Sequence, residues 1–231
     1  MFKKILIANR GEISLRIMQT AKRMGISTVA VYSDVDEHSP HVSMADEAIF
    51  IGSASATNSY LSIERILDAA KKTNADCIHP GYGFLSENSD FSNEVRRAGL
   101  TFIGPPSQAI RDMGSKDNAK SIMEKAGLPI LPGFSCVNKR EAEIETAANT
   151  LGYPILLKAA NGGGGKGMRI VLKADELAEA LNTASREAVA AFGNGSLIVE
   201  KFIDHPRHIE VQIFGDSHGN YIHLFERDCS V

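Results

Sequence analysis

Over roughly residues 3–104, short β-rich runs take turns with longer stretches of helical period, and this alternation limits the chain to few architectures. "KKILIA", "STVAVYS", "DEAIFIG", "DCIHP" and "TFIG" read as strands. Between them "GEISLRIMQTAKRMG", "SYLSIERILDAAKKTN" and "ENSDFSNEVRRAG" read as helices. Strands separated by helices of this length predict a parallel, doubly wound sheet. The first helix should turn Ile13, Ile17, Ala21 and Met24 inward and stop at Gly25. In such sheets ligands gather beyond the carboxyl ends of the strands, where "ANRGE" (8–12) and "HPGYG" (79–83) both fall. The dinucleotide glycine pattern does not follow the first strand, which argues against a nicotinamide-dependent dehydrogenase.

After Gly104-Pro105-Pro106 the texture changes. Two short helical patterns, "SQAIRDMG" and "SKDNAKSIMEKAG", are followed by the helix "KREAEIETAANTLG", the strand "PILLKAA", a glycine-rich segment and the strand "MRIVLK". The helix "ADELAEALNTASREAVAAFG", the strand "SLIVEKFI", and two strands joined at Asp216-Ser217-His218-Gly219-Asn220 complete the chain. The expected division is residues 1–114, then 115–204 carrying the glycine segment, then 205–231 as the start of a further subdomain. The end at Val231, on a strand or its exit, reads as a truncation.

The segment "AANGGGGKGMR" (159–169) places five glycines in six positions. Ordering them costs about 0.5–1 kcal/mol each, so on the order of 2.5–5 kcal/mol together, against a net domain stability of about 5–15 kcal/mol. Either the segment is an idle hairpin tip, or its N–H groups must approach a ligand closely. Lys158, near the end of the apolar run before it, should be partly buried and needs an anionic partner; a phosphate would serve. Successive loop amides can form an anion-binding nest, with Lys166 as a second cation and Met168 opening the returning strand. It is not a Walker A loop, because Gly167 follows Lys166 where Ser or Thr is required.

Other candidates carry weaker signals. Lys116, near the start of a helix, alone reads as an exposed lysine. "LIVEKFI" (197–203) is a buried-strand pattern interrupted by Glu200-Lys201, either an edge strand with a surface ion pair or a strand whose exit offers a carbonyl and an N–H to an adenine edge. His205 and His208 flank Pro206-Arg207, which disfavours the helix that would point both at one metal, so His208 beside a phosphate or sugar is the better reading. In "HPGYGFLSEN" the glycines permit special dihedrals, and Ser86 or Asn88 can cap a helix. Cys77, Cys136 and Cys229 are odd in number and widely spaced, giving neither a disulfide framework nor a zinc pattern. With 25 basic and 28 acidic residues the net charge of -3 supplies no general attraction to nucleic acid or an anionic membrane, and no apolar stretch approaches 18 residues. A soluble cytoplasmic protein without a signal peptide is expected, or one of the mitochondrial matrix in a eukaryote.

Taken in order, "ANRGEI", "MADEA", "HPGYGFLSEN", "FIGP", "MGSK", "GYPILLKAANGGGGKGMR", "EKFI", "PRHIEVQIFGD", "HGN" and "ERDCSV" resemble the biotin carboxylase component of biotin-dependent carboxylases, from residue 3 to 231. "YSDVDEHSPHVSMADEA" and the lysine-containing glycine segment look more like the α subunits of propionyl-CoA or methylcrotonyl-CoA carboxylases than the stand-alone acetyl-CoA type. The resemblance implies an α/β chain: a Rossmann-like parallel-sheet domain followed by an incomplete ATP-grasp domain. It places ATP against Lys116, Lys158, Gly163, Gly164, Gly165, Lys166, Met168, Glu200, Lys201, Phe202, Ile203 and His208. Asn161 stands where the family commonly has Gly or Ala. The implied chemistry is attack of bicarbonate on the γ-phosphate to give carboxyphosphate, then carboxyl transfer to biotin on a carrier, with Mg2+ bridging the phosphates. The implied partners are a biotin carboxyl carrier domain, a carboxyltransferase subunit and, at full length, further copies of the chain. In the family the magnesium ligands, catalytic base and basic residues for bicarbonate and biotin lie beyond "ERDCS". The 231-residue piece is therefore expected to bind nucleotide weakly and to carry no carboxylase activity alone. Pyruvate carboxylase, another ATP-grasp ligase of the carbamoyl phosphate type, and a non-catalytic assembly module are the rival readings.

Overall fold

The computed structural model describes residues 2–160, 168–216 and 218–230. The chain divides into two compact units, Met1–Asp112 and Met113–Val231.

In the first unit the elements run β1 (Lys4–Ile7), α1 (Gly11–Arg23), β2 (Ser27–Ser33), α2 (Pro40–Met44), β3 (Glu47–Gly52), α3 (Ile63–Thr73), β4 (Cys77–His79), α4 (Ser89–Arg97) and β5 (Thr101–Phe102). All five strands are parallel, in the order β3-β2-β1-β4-β5. This is the doubly wound order in which the direction of winding reverses beside β1. The period-2 alternation of β1 explains why both faces are covered. Leu6 and Ala8 join one core with Val29, Val31, Ile66, Ile78 and Phe91, whereas Ile5 and Ile7 join another with Ile17, Met18, Ala21 and Cys77. Cys77 is fully buried there, and burial pushes its thiol up to about 12.

Helix α1 ends as expected, with Gly25 at φ +72°, but its inward stripe is Ser14, Ile17, Met18 and Ala21. Met24 is 55% exposed. It caps the helix from outside the last helical turn, where the 3.6-residue period no longer directs the side chain. At α4 the capping residue is Asn88, whose side chain accepts from the Phe91 amide at 2.8 Å.

Helix α5 (Ser107–Gly114) spans the division between the units. The second unit then runs α6 (Lys116–Lys125), β6 (Gly133–Ser135), α7 (Glu141–Leu151), β7 (Ile155–Ala159), β8 (Arg169–Val171), α8 (Leu177–Phe192), β9 (Leu197–Lys201), β10 (Ile209–Gly215) and β11 (Tyr221–Asp228). Strands β6-β9-β7-β8 form an antiparallel sheet in that order. Gly133 is required where β6 meets β9, since a Cβ there would lie 2.4 Å from the Val199 carbonyl oxygen.

One face of this sheet is apolar: Ile155, Leu157, Ala159, Leu197 and Val199 pack with Ile144 and Ala148 of α7 and with Ala180, Ala184 and Ala188 of α8. By strand alternation, Lys158 and Glu200 fall on the opposite face. The expected final strand pair is present as β10 and β11, antiparallel, and the turn between them is held by Asp216 accepting from the amides of His218 and Asn220. No helix among the described residues is long and apolar enough to cross a membrane.

Candidate functional site

The face of the four-stranded sheet opposite α7 and α8 gathers three lysines around one carboxylate. Glu200 sits in β9 with 5% of its surface exposed. Its Oε1 is 2.5 Å from Lys120 Nζ, and its Oε2 accepts a short hydrogen bond from Lys158 Nζ. In the β7–β9 register Leu156 lies opposite Glu200, so Lys158, two residues on, is its diagonal neighbour on the same face. Lys116, one helical turn before Lys120 on α6, donates to the Ala159 carbonyl at 3.2 Å. Lys120 also donates to the Leu131 carbonyl at 3.1 Å.

Two readings from sequence change here. The anionic partner of Lys158 is Glu200, a group of the chain itself. Glu200-Lys201 is not an exposed edge pair either, because β9 runs between β6 and β7. Lys120 was missed; its one available signal was its spacing of four residues from Lys116, which puts both on one side of a helix.

The electrostatics follow from this arrangement. Burial alone would raise the Glu200 carboxyl, but hydrogen bonds and charge from Lys120 and Lys158 outweigh it and hold the carboxyl below its usual range. Lys116 is lowered, first by burial and then by repulsion from Lys158, with Glu200 opposing. The Lys120 and Lys158 ammonium groups share the one carboxylate of Glu200, a cationic excess that a polyphosphate anion fits chemically. Among the described residues no group of three or more His, Cys, Asp or Glu is placed to hold a metal ion.

At the exit of β9, the Lys201 amide donates to the Pro132 carbonyl at 2.9 Å and the Phe202 amide to the Pro154 carbonyl at 3.2 Å. The next amide, of Ile203, has no acceptor among the described residues. The Lys201 ammonium turns to the Gly152 and Tyr153 carbonyls, at 2.8 and 3.2 Å. His208 is exposed just before β10, its amide donating to Ser230 Oγ at 2.6 Å. Met168 is exposed immediately before β8. Gly163, Gly164, Gly165 and Lys166 lie outside the described residues; the strands on either side of them, β7 and β8, pair antiparallel from Ile155↔Val171 to Leu157↔Arg169.

The first unit treats its own crevice differently. Where β1 and β4 diverge, Asn9 is buried and its side-chain amide donates to the Pro80 carbonyl at 2.8 Å and the Tyr82 carbonyl at 2.7 Å, while its Oδ1 accepts from the Arg10 amide at 2.9 Å. Gly81, at φ +66°, allows this: a Cβ would stand 2.7 Å from Asn9 Nδ2. "ANRGE" and "HPGYG" are thus tied to each other. Beside them Arg10, Ser33 and Tyr60 all donate to one oxygen of Asp36, at 3.0, 2.7 and 2.7 Å. Burial would raise Asp36, but the hydrogen bonds from Tyr60, Ser33 and Arg10 prevail and lower it. Burial and the bond to Asp36 push the Tyr60 hydroxyl up to about 12.

Residues 1–110 match the biotin carboxylase N-terminal domain, and residues 115–231 match the ATP binding domain of the carbamoyl-phosphate synthase L chain. The chain belongs to the biotin carboxylase family. It is 56% identical over 228 residues to the mitochondrial methylcrotonoyl-CoA carboxylase subunit alpha of Dictyostelium discoideum, covering 99% of this chain and 33% of that protein. Against the mitochondrial propionyl-CoA carboxylase alpha chain of Homo sapiens the identity is 50% over 230 residues, covering 100% and 32%. A biotin carboxylase from Campylobacter jejuni, solved as a β-γ-ATP complex, superposes with a TM-score of 0.95 at 46% identity, over 100% of this chain and 52% of that one. The biotin carboxylase domain dimer of Hydrogenobacter thermophilus 2-oxoglutarate carboxylase, solved with MgADP, ADP and bicarbonate, gives 0.94 at 47%, over 100% and 51%. The chain therefore spans about a third of the length of these curated relatives and about half of these solved biotin carboxylases.

Proposed function

We propose that this chain forms the nucleotide-binding part of a biotin carboxylase acting in an acyl-CoA carboxylase of the methylcrotonoyl- or propionyl-CoA type. The carrying observation is the buried Glu200 carboxylate shared by Lys120 and Lys158, with Lys116 beside them, on a face reached from the strand that leads into the glycine segment. Lys116, Lys158 and Lys166, with the amides around Gly163 to Gly165, hold the triphosphate. The main chain at the exit of β9, from Glu200 to Ile203, meets the adenine, the Ile203 amide supplying a donor and Lys201 and Phe202 fixing the path of the strand, while the Glu200 side chain is turned to the lysines and does not touch the base. Met168 lies against the base, and His208 against the sugar or phosphate.

In this reading residues 1–114 form the Rossmann-like domain, 115–204 the lid with its glycine segment, and 205–231 the opening of the next subdomain. Bicarbonate attacks the γ-phosphate, ADP leaves, and the resulting carboxyphosphate delivers its carboxyl to a ureido nitrogen of biotin on a carrier domain. The lysines stabilise charge as it shifts from the γ-phosphate towards the β-phosphate. Mg2+ supplies further neutralisation when it enters with ATP. The carboxyl carrier and a carboxyltransferase subunit are the partners, in a homo-oligomer working in the cytoplasm or, in a eukaryote, the mitochondrial matrix.

The test is calorimetric titration of the intact protein with a nonhydrolysable ATP analogue, followed by ATP cleavage assayed with and without bicarbonate and free biotin. Saturable analogue binding with bicarbonate-dependent cleavage and biotin carboxylation is expected. Cleavage that needs bicarbonate but leaves biotin unmodified would reassign the chain to carbamoyl phosphate-type chemistry.

A further inference from the structure

We infer that Lys120 is a positioning residue that keeps Glu200 neutralised, so that Lys158 can leave the carboxylate and engage the phosphate tail of a nucleoside triphosphate; this rests on the nucleotide reading above. The two lysines are held unequally. Lys120 is anchored at both Glu200 Oε1, 2.5 Å away, and the Leu131 carbonyl, at 3.1 Å. Lys158 has Glu200 Oε2 as its one acceptor among the described residues. Lys158 is therefore the ammonium with least to lose by moving.

Glu200 cannot be left behind alone. It is almost wholly buried in the interior strand β9, and a buried carboxylate without a cation is strongly disfavoured. If Lys158 were its single partner, every movement of that ammonium towards a phosphate would strand the charge, and Glu200 would compete with the ligand for Lys158. With Lys120 fixed on the other oxygen, the carboxylate stays paired whether Lys158 faces it or the phosphate. Lys116 adds a reason for the exchange to run towards the ligand. It lies in the same field, and repulsion from Lys158 disfavours two ammonium groups sharing the site without an added anion. Lys120 thus acts through Glu200 on Lys158, without touching the nucleotide.

The test measures affinity for a nonhydrolysable ATP analogue by calorimetry on the intact protein and three variants, with far-UV circular dichroism to establish folding. Lys120→Met should weaken binding about tenfold or more, Lys120→Arg should stay within about threefold of the parent, and Lys120→Met combined with Glu200→Gln should return to within about threefold. Restoration by removing the carboxylate is what a contact between Lys120 and phosphate would not produce. The double variant leaves no buried carboxylate without a cation and should fold even where the single variant does not, so its affinity alone decides: a loss of about tenfold or more overturns the inference. Unchanged binding by folded Lys120→Met likewise overturns it while leaving the nucleotide site standing. A parent protein that binds no analogue overturns the nucleotide reading and this inference together.

Discussion

The two sheets of this chain handle polar groups at their working edges in opposite ways. Beyond β1 and β4, Asn9 spends its amide on two carbonyls and its oxygen on an amide, and Asp36 collects Arg10, Ser33 and Tyr60. The polar side chains of Asn9 and Asp36 are satisfied by groups of the same unit. On the face of β7 and β9, the Lys120 and Lys158 ammonium groups share one carboxylate. Matched polarity builds structure; unmatched charge marks a place for a ligand.

The contrast can be broken by exchanging which property a substitution damages. Asn9→Ala should have the largest effect, leaving the buried Pro80 carbonyl and the part-buried Tyr82 carbonyl without their donor and costing about 3 kcal/mol of stability. Thermal and urea unfolding would register it, and the folded fraction should bind the ATP analogue as the parent does. A weaker analogue affinity would mean that the tie between Asn9 and residues 80–82 is part of the site. Lys158→Ala comes next and should do the reverse. Glu200 retains Lys120, so stability should change by less than about 1 kcal/mol, whereas affinity should fall roughly 30-fold, or about 2 kcal/mol. A large drop in melting temperature with normal affinity would make the lysine face a structural ion-pair network.

The smallest effect is that of pH. Burial lowers His41 and His79 from their ordinary value near 6.5, so both are neutral when folded and take up protons more readily when unfolded. Their contribution is complete above that value and declines as pH falls below it. Melting temperature measured from pH 7.5 down to 5.5 should fall, by less than Asn9→Ala lowers it. The lowered carboxyls of Asp36 and Glu200 add their losses only in acid, as pH drops below 3.8 and 4.5. A melting temperature flat to pH 5.5 would refute the buried-histidine contribution.

Much of the fold was legible because it rests on local pattern. The five parallel strands follow from hydrophobic runs of strand length with helices between them, and the final hairpin from its turn-rich cluster. What escaped was decided at long range. The stop at Gly25 was legible, but the helical period ends at Arg23, so Met24 as the cap leaves the buried stripe. The short strand β6 carries only "GFS", and it exists because β9 offers an open edge with room for Gly133. At the site, the apolar run before the glycines identified Lys158 as a cation in need of a partner. That the partner is Glu200, 42 residues on, and that Lys120 shares it, depends on strand register and on the packing of α6, which no local spacing encodes.

The burial of Cys77 in β4 gives the first unit a built-in clock. Its thiol ionises only near 12 and lies in β4, an interior strand of the doubly wound core, whereas Cys136 and Cys229 both belong to the second unit. Alkylation at Cys77 can proceed only as fast as that sheet opens. The rate at which a small electrophile labels this position therefore times the breathing of one unit separately from the other.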